Sequence, residues 1–115
     1  MSKAAIAAHF TRREPVVREI YERILAAAGE FGPVKQDPKK TSIHLARKTA
    51  FAGVATRKNA LILTLKSATD LGSPRIFKRE QASASRWHLD VKLTDPKQVD
   101  RQLAAWLGRA IQLSQ

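Results

Sequence analysis

Apolar residues recur at two spacings along the chain, every three or four positions near its ends and every second position in its middle. The first helical stripe consists of Val17, Ile20, Tyr21, Ile24, Leu25 and Ala28. Thr11 and Glu14 have the three-residue spacing of a capping box, and Gly29 is placed where a helix commonly ends. The spacing therefore predicts an amphipathic helix over residues 12–28.

A second helical stripe lies near the end of the chain. It consists of Val99, Leu103, Trp106, Ala110 and Leu113. Asp95 suits the N-cap position before it, and Pro96 suits the first helical position, where the missing backbone N–H would have no partner in any case. These residues predict a helix over residues 96–113.

The middle of the chain alternates apolar and polar residues, which is typical of β-strands covered on one side. The predicted strands cover residues 41–45, 50–55, 60–66 and 86–93. A short strand or turn at 75–79 and an extended piece at 34–36 complete the pattern. We therefore expect an antiparallel meander of four or five short strands.

Two amphipathic helices at opposite ends of the sequence each need an apolar surface, and one face of the sheet provides it. We therefore predict an α+β fold in a single domain of residues 1–115, with both helices packed on one sheet face. An N-terminal arm (1–11) precedes the first helix, and a strand-rich basic middle (41–93) separates the helices. The residues predicted on the opposite, open sheet face are Ser42, His44, Thr64, Lys66, Arg86, His88 and Lys92.

Positive charge is concentrated in the middle of the chain. The net charge is +11, and residues 35–92 carry thirteen bases against four acids, 13 − 4 = +9. A field of this sign attracts polyanions and raises their rate of association. A net charge far from zero also keeps a small protein soluble, so the charge alone leaves both interpretations open.

Residue types that are missing from the sequence exclude several kinds of chemistry. There is no cysteine, which excludes a disulfide framework, a thiolate zinc site and a cysteine nucleophile, and which fits the reducing cytoplasm. No apolar run approaches the roughly 20 residues that span a bilayer, so we expect no membrane contact. Without a glycine-rich phosphate loop, a nucleophile elbow or a carboxylate cluster, we expect no enzyme activity, no catalytic residue, no metal site and no cofactor.

The order of several short segments resembles a known family. Together with the first helix, those segments are His9-Phe10, Phe31-Gly32-Pro33-Val34, Pro38 to Ile43, Phe51 to Val54, Ser73 to Ile76, Arg86-Trp87-His88, Val91-Lys92-Leu93 and Trp106-Leu107. In this order they resemble the small bacterial family known as domain of unknown function 5655, over essentially the whole chain. The resemblance implies the same fold class. Because that family has no established activity, no catalytic residue is carried over from it.

The candidate ligand-binding residues are basic side chains and histidines of the strand-rich middle. They are Lys39, Lys40, His44, Arg47, Lys66, Arg75, Arg79, Arg86, His88 and Lys92. Lysine and arginine on a sheet face and its loops would neutralise phosphates, which predicts a nucleic acid or an acidic protein as the partner. Phe51 and Phe77 are the aromatic residues that we expect to be exposed for base stacking.

Two alternatives stay open. The domain would be a structural or interaction module if it formed a homodimer through the open face or a sheet edge, with its charge serving solubility. A small enzyme would require His44 and His88 to meet across adjacent strands as a proton-transfer pair or metal site, with Asp90 or Ser42 nearby. His9 would be a third metal ligand only if the N-terminal arm folded back.

Overall fold

Six antiparallel strands form one continuous sheet in the computed structural model, which describes residues 3–114. The strands are β1 (Lys35–Pro38), β2 (Ile43–Ala46), β3 (Ala50–Thr56), β4 (Leu61–Ser67), β5 (Ile76–Ser83) and β6 (Arg86–Leu93). Their order across the sheet is β1-β2-β3-β4-β6-β5, so β1 and β5 are the edge strands. The predicted arm (1–11) begins with Met1 and Ser2, which lie outside the described residues, as does Gln115.

The antiparallel α+β fold is confirmed, and the sheet has more strands than the four or five expected. Alternating burial in β4 shows the physical basis, because Leu61, Leu63 and Leu65 are buried while the residues between them are half-buried. The extended piece predicted at 34–36 overlaps β1, and the segment predicted at 75–79 overlaps the beginning of β5. Both edge strands extend beyond the predicted residues.

Three helices in residues 3–114 contribute to one apolar core: α1 (Lys3–Ala8), α2 (Pro15–Gly29) and α3 (Arg101–Gln112). Helices α2 and α3 contact each other, and both contact β4. The two long helices therefore pack side by side on one face of the sheet, as the amphipathic stripes predict.

Helix α2 begins three residues later than expected. Arg12 has a φ of 62°, a left-handed backbone conformation that an α-helix does not contain. Glu14 then takes the N-cap position without a side-chain capping bond, and Pro15 is the first helical residue. The predicted capping box of Thr11 and Glu14 is therefore wrong.

Two successive caps divide the helix predicted over residues 96–113. Asp95 caps a short 3-10 turn (Pro96–Gln98) in which both hydrogen bonds of a capping box form. Asp100 is extended, with φ −101° and ψ −171°, and its carboxylate accepts a hydrogen bond from the Leu103 N–H (3.0 Å). The regular helix therefore starts only after the second cap.

The core lies between the helices and the sheet. Its largest fully buried residues are Ile20, Tyr21, Ile24, Ile43, Leu45, Phe51, Leu61, Leu63, Leu65, Leu89, Leu93 and Leu103. The Tyr21 hydroxyl donates a hydrogen bond to Gln36 Oε1 (2.7 Å), and burial raises the pKa of Tyr21 above its ordinary value. The helices thus share one sheet face and leave the other for contact with solvent.

Candidate binding face

The sheet face opposite the helices is formed by outward-pointing residues of β2 to β6 and by Ser42, which immediately precedes β2. We call this surface the open face, and it consists of Ser42, His44, Gly53, Ala55, Ile62, Thr64, Lys66, Lys78, Glu80, Arg86, His88, Asp90 and Lys92. The seven residues that the alternation of the sequence assigns to this face all lie on it. The regular period of two in β4 and β6 accounts for the five of them that lie on those strands.

The strand register arranges these residues in rows that cross the strands. One row contains His44, Gly53, Thr64, Asp90 and Lys78, on β2, β3, β4, β6 and β5 respectively. The next row contains Lys66, His88 and Glu80. Opposed residues on adjacent strands are about 5 Å apart, so direct contacts form between neighbours within a row.

His44 and His88 share the open face but do not meet. They lie on β2 and β6, with β3 and β4 between them. Three strand spacings of about 4.8 Å separate the two residues by about 14 Å. The hypothesis of a proton-transfer pair or shared metal site is therefore wrong. His9 instead forms a hydrogen bond between its Nε2 and Lys39 O (2.9 Å), and residues 3–114 contain no cluster of three His, Cys, Asp or Glu side chains arranged to hold a metal.

A groove of about 460 Å³ lies on the open face over the middle of β3, and we call it the β3 groove. Gly53 and Ala55 form its floor, where the side chains are smallest. His44 on β2, and Lys66 and His88 on the opposite side, line its walls. The groove exists because the β3 residues on this face, Gly53 and Ala55, are small, whereas the neighbouring strands β2 and β4 present larger side chains.

Neither the backbone nor the packing requires a glycine at position 53. The φ of Gly53 lies outside the left-handed region, so other residue types can adopt its conformation. A Cβ atom there would lie 4.0 Å from His44 Cδ2 and 4.0 Å from Thr64 Cβ, which is ordinary van der Waals contact. Glycine inside a strand destabilises a protein by about 0.5–1 kcal/mol relative to alanine. It often marks a place where a ligand approaches the backbone closely.

A second depression lies on the open face near the turn between β3 and β4. Four cations line it, and we call them the basic patch: Arg57, Lys58, Lys78 and Lys92. Within the described chain none of the four forms a salt bridge. Asp90 is the acid in this lining, so its formal net charge is 4 − 1 = +3. Phe77 lies among these cations with its side chain 56% exposed.

Two acids, Glu80 and Asp90, also lie on the open face: Asp90 is part of the lining of the basic patch, and Glu80 lies on the edge strand β5 opposite His88. The Thr64 hydroxyl donates a hydrogen bond to Asp90 Oδ1 (2.6 Å). Glu80 Oε1 lies 4.0 Å from His88 Nδ1. These carboxylates reduce the positive charge of the surface without cancelling it, because the basic patch alone contains four cations.

Arg75, a candidate ligand-binding residue, lies on the helix side of the sheet, where its side chain contacts other parts of the fold. Its guanidinium donates to Asp100 Oδ1 (2.9 Å) and to Gln98 O (2.6 Å), and it lies 5.7 Å from the centroid of the Trp106 ring. The Leu103 N–H and the Arg75 guanidinium together hold the pKa of Asp100 below its ordinary value. Arg75 therefore ties the loop before β5 to the start of α3.

Arg79 and Arg47 also lie away from the open face. Arg79 donates to Asp70 Oδ1 (3.0 Å), and the pKa of Asp70 is lowered first by the Gly72 N–H and then by Arg79. Arg47 donates to Phe31 O (2.8 Å), which fastens the loop after β2 to the end of α2. Both guanidinium groups therefore have hydrogen-bond partners within the molecule.

The remaining candidates lie on the open face or at its margin. Lys39, in the β1–β2 turn, forms an ion pair with Asp37 (2.9 Å), and its hydrogen bond is the main cause that lowers the pKa of Asp37. Lys40, beside it, has no side-chain partner among residues 3–114. Lys66 Nζ donates to Ser114 Oγ (3.3 Å) at the edge of the β3 groove. On the open face itself are His44, Arg86, His88 and Lys92.

Irregularities of the strands hide part of this surface from the sequence pattern. The register of β5 shifts between Ile76 and Lys78, so the first is buried and the second lies on the open face although they are two positions apart. Phe51 is fully buried, so the expectation that it is exposed is wrong. The polar turn containing Arg57 and Lys58 is the sequence signal that could have identified the basic patch.

Comparison with known proteins identifies the family of the chain. Searches of curated proteins and of solved structures each found no significant match. The sequence profile of the family described as Domain of unknown function (DUF5655) matches residues 6–114, a range that includes α2, α3 and all six strands. The chain therefore belongs to the DUF5655 family, a domain whose function its description leaves open.

Proposed function

We propose that this domain is a non-catalytic module that binds nucleic acid through the basic patch and the adjoining open face. One observation carries the proposal: within the described chain, the four cations of the basic patch form no salt bridge and line one depression together with the exposed residue Phe77. Arg75 and Arg79, by contrast, are already paired with acids. The basic patch therefore brings these four cations together at one depression, where a single partner could contact them at once.

Contacts between these cations and backbone phosphates would make binding strongly dependent on salt. Each phosphate that a lysine or arginine neutralises releases condensed counterions. For four contacts to a single strand, log K falls with log salt at a slope of about −2.8, or about 0.7 per contact. Raising the salt from about 50 to about 200 mM then weakens binding about fifty-fold.

Phe77 favours nucleic acid over an acidic protein surface. Bases of any sequence stack on exposed aromatic rings, whereas carboxylates gain little from them. Phe77 and Lys78 are adjacent in β5, and both line the depression that contains Lys92. Ile62 adds apolar surface in the same depression. A phosphate and a neighbouring base of one strand would therefore find suitable partners side by side.

Three features argue against a homodimer as the main role. β1 is a four-residue edge strand that ends at Pro38, and the other edge strand carries Lys78, Arg79 and Glu80. Short edge strands, prolines and charged residues all oppose edge-to-edge pairing. Joining two copies through their open faces would bring two positively charged surfaces together, which like-charge repulsion opposes.

We place this module in the cytoplasm. The absence of cysteine suits a reducing compartment. In the part of the chain that the structure describes, no helix combines the length and the apolar character that crossing a bilayer requires.

The test is the fluorescence anisotropy of a labelled oligonucleotide of about twelve nucleotides, titrated with protein at about 50 and about 200 mM salt. We expect binding at the lower salt and a steep loss at the higher. The double variant Lys78→Gln with Lys92→Gln removes two contacts and should reduce the salt slope by about 1.4. Absence of binding at the lower salt would overturn the proposal.

A control variant separates the basic patch from overall charge. Arg23→Gln with Arg109→Gln also removes two positive charges, but from exposed positions of α2 and α3, on the helix side. It should leave the salt slope unchanged, and an equal loss in both double variants would contradict the proposed surface. Polyglutamate serves as the competitor, and displacement as efficient as that by unlabelled oligonucleotide would assign the surface to acidic proteins instead.

A further inference from the structure

The β3 groove and the basic patch lie side by side on the same open face. Ala55, on the groove floor, pairs with Ile62, which in turn pairs with Lys92 of the basic patch. Two strand spacings of about 4.8 Å therefore separate the groove floor from this lysine, a distance of about 10 Å. At about 3.4 Å per stacked nucleotide, about three nucleotides cover that distance.

The floor of the groove is open where a sheet is usually filled. β3 is an interior strand of the sheet, and interior strand positions favour large β-branched or aromatic side chains. Gly53 occupies such a position although a Cβ atom would fit there without a clash. Ala55, two residues further along the same face, is also small. Fold stability does not account for this pair, whereas close approach of a flat ligand to the strand does.

The lining of the groove matches the chemistry of a single nucleotide. Its volume of about 460 Å³ lies within the range of small-molecule sites. The floor offers the exposed peptide plane at Gly53 and the methyl group of Ala55 to the face of a base, and His44 and His88 place imidazole rings at its sides. Lys66 supplies a cation for a phosphate, and the Ser42 hydroxyl supplies a polar contact for a base edge.

We infer that the β3 groove receives one unstacked base of a single-stranded nucleic acid whose backbone runs over the basic patch, an inference that rests on the proposed function. A base within a duplex is stacked on both sides and paired at its edge, so it does not enter a groove in a sheet. Duplex ends and grooves would reach only the basic patch. The module therefore selects single strands over duplexes by shape, while phosphate contacts contribute to both.

The test compares a single-stranded oligonucleotide with a duplex of the same sequence, using wild-type protein and variants in which the groove is filled. Gly53→Val and Ala55→Val add methyl groups to the floor, while the lysines remain. Ala82→Val serves as the matched control, because it makes the same alanine-to-valine change at an exposed position of β5 outside the groove. Far-UV circular dichroism and thermal melting confirm that each variant is folded.

We expect the wild-type protein to bind the single strand about tenfold more tightly than the duplex, because stacking of one base contributes about that much affinity. Each groove-filling variant should lose that advantage, keep its duplex affinity and differ from the control. If Gly53→Val fails to fold, Ala55→Val and Gly53→Ala provide the same comparison. Equal affinity for single strand and duplex, or single-strand binding that survives filling of the groove, overturns the inference.

These results separate the inference from the proposed function. If both ligands bind equally and both depend on Lys78 and Lys92, the groove has no role and the proposed function stands. If neither ligand binds at about 50 mM salt, the proposed function fails together with the inference.

Discussion

Replacing Gly53 with alanine should stabilise the protein. The new Cβ atom meets His44 Cδ2 and Thr64 Cβ at 4.0 Å each, and the strand backbone there is already compatible with alanine. Glycine has more conformational freedom to lose on folding, so the change should raise the free energy of unfolding by about 0.5–1 kcal/mol. Most of this gain comes from the unfolded chain, because the added methyl group buries little new surface.

The corresponding change in melting temperature is large enough to measure. An unfolding entropy of about 2.1 cal/mol/K per residue gives about 240 cal/mol/K for 115 residues. Dividing the stabilisation by this entropy gives a rise in Tm of about 2–4 °C. Thermal melts followed by circular dichroism measure the shift, and urea denaturation with an unchanged m value shows that the unfolded state is comparable.

Gly32→Ala makes the same chemical change at a position where glycine is required. Gly32 has a φ of 125°, and a Cβ atom there would lie 2.6 Å from Arg47 Nη1. The free energy of unfolding of this variant should therefore be lower than that of the wild-type protein by more than about 1 kcal/mol. A fall in Tm for Gly53→Ala similar to that for Gly32→Ala would refute the reasoning. It would show that the fold itself requires Gly53, and the groove would then need no ligand to explain it.

Asp90→Asn removes the acid that lines the basic patch but keeps the acceptor oxygen for Thr64, so oligonucleotide affinity at about 50 mM salt should rise, by up to about fivefold in anisotropy titrations. Unchanged or weaker affinity would place the ligand elsewhere. Arg75→Gln loses charge-assisted hydrogen bonds to Asp100 and the contact with Trp106, and urea denaturation should show a loss of about 1–2 kcal/mol. Its oligonucleotide affinity should stay within about twofold of the wild-type value. A larger drop would show that Arg75 takes part in oligonucleotide binding.

Regular strands made much of this surface predictable. In β4 and β6 the side chains alternate without interruption, so the period of two separates Leu63 and Val91 in the core from Thr64 and His88 on the open face. Because only one face of such a sheet is apolar, both amphipathic helices are expected to pack on that face. Those two facts were enough to predict both the fold class and the existence of a polar, open face.

Two kinds of feature could not be predicted from the sequence. One is the position of a register shift within a strand, and the other is contact between residues that are far apart in the chain. A register shift in β5 changes which face Lys78 occupies, and nothing in the neighbouring residues indicates where the shift falls. The roles of Arg75 and Arg79 depend on carboxylates that are 25 and 9 positions away in the chain. The order of the strands keeps His44 and His88 apart. That order could not be predicted, because the alternation of residues in one strand does not indicate which strand lies beside it.

The pairing of Ala55 with Ile62, and of Ile62 with Lys92, has one further consequence. Hydrogen-bonded strands hold their separation almost constant, so the groove and the cations form a rigid gauge that is set before any partner arrives. A partner long enough to reach both would gain two contacts for one loss of freedom, whereas a shorter one would gain only one. Under the proposed function, such a surface would respond to the length of a polymer and would be largely indifferent to the order of its units.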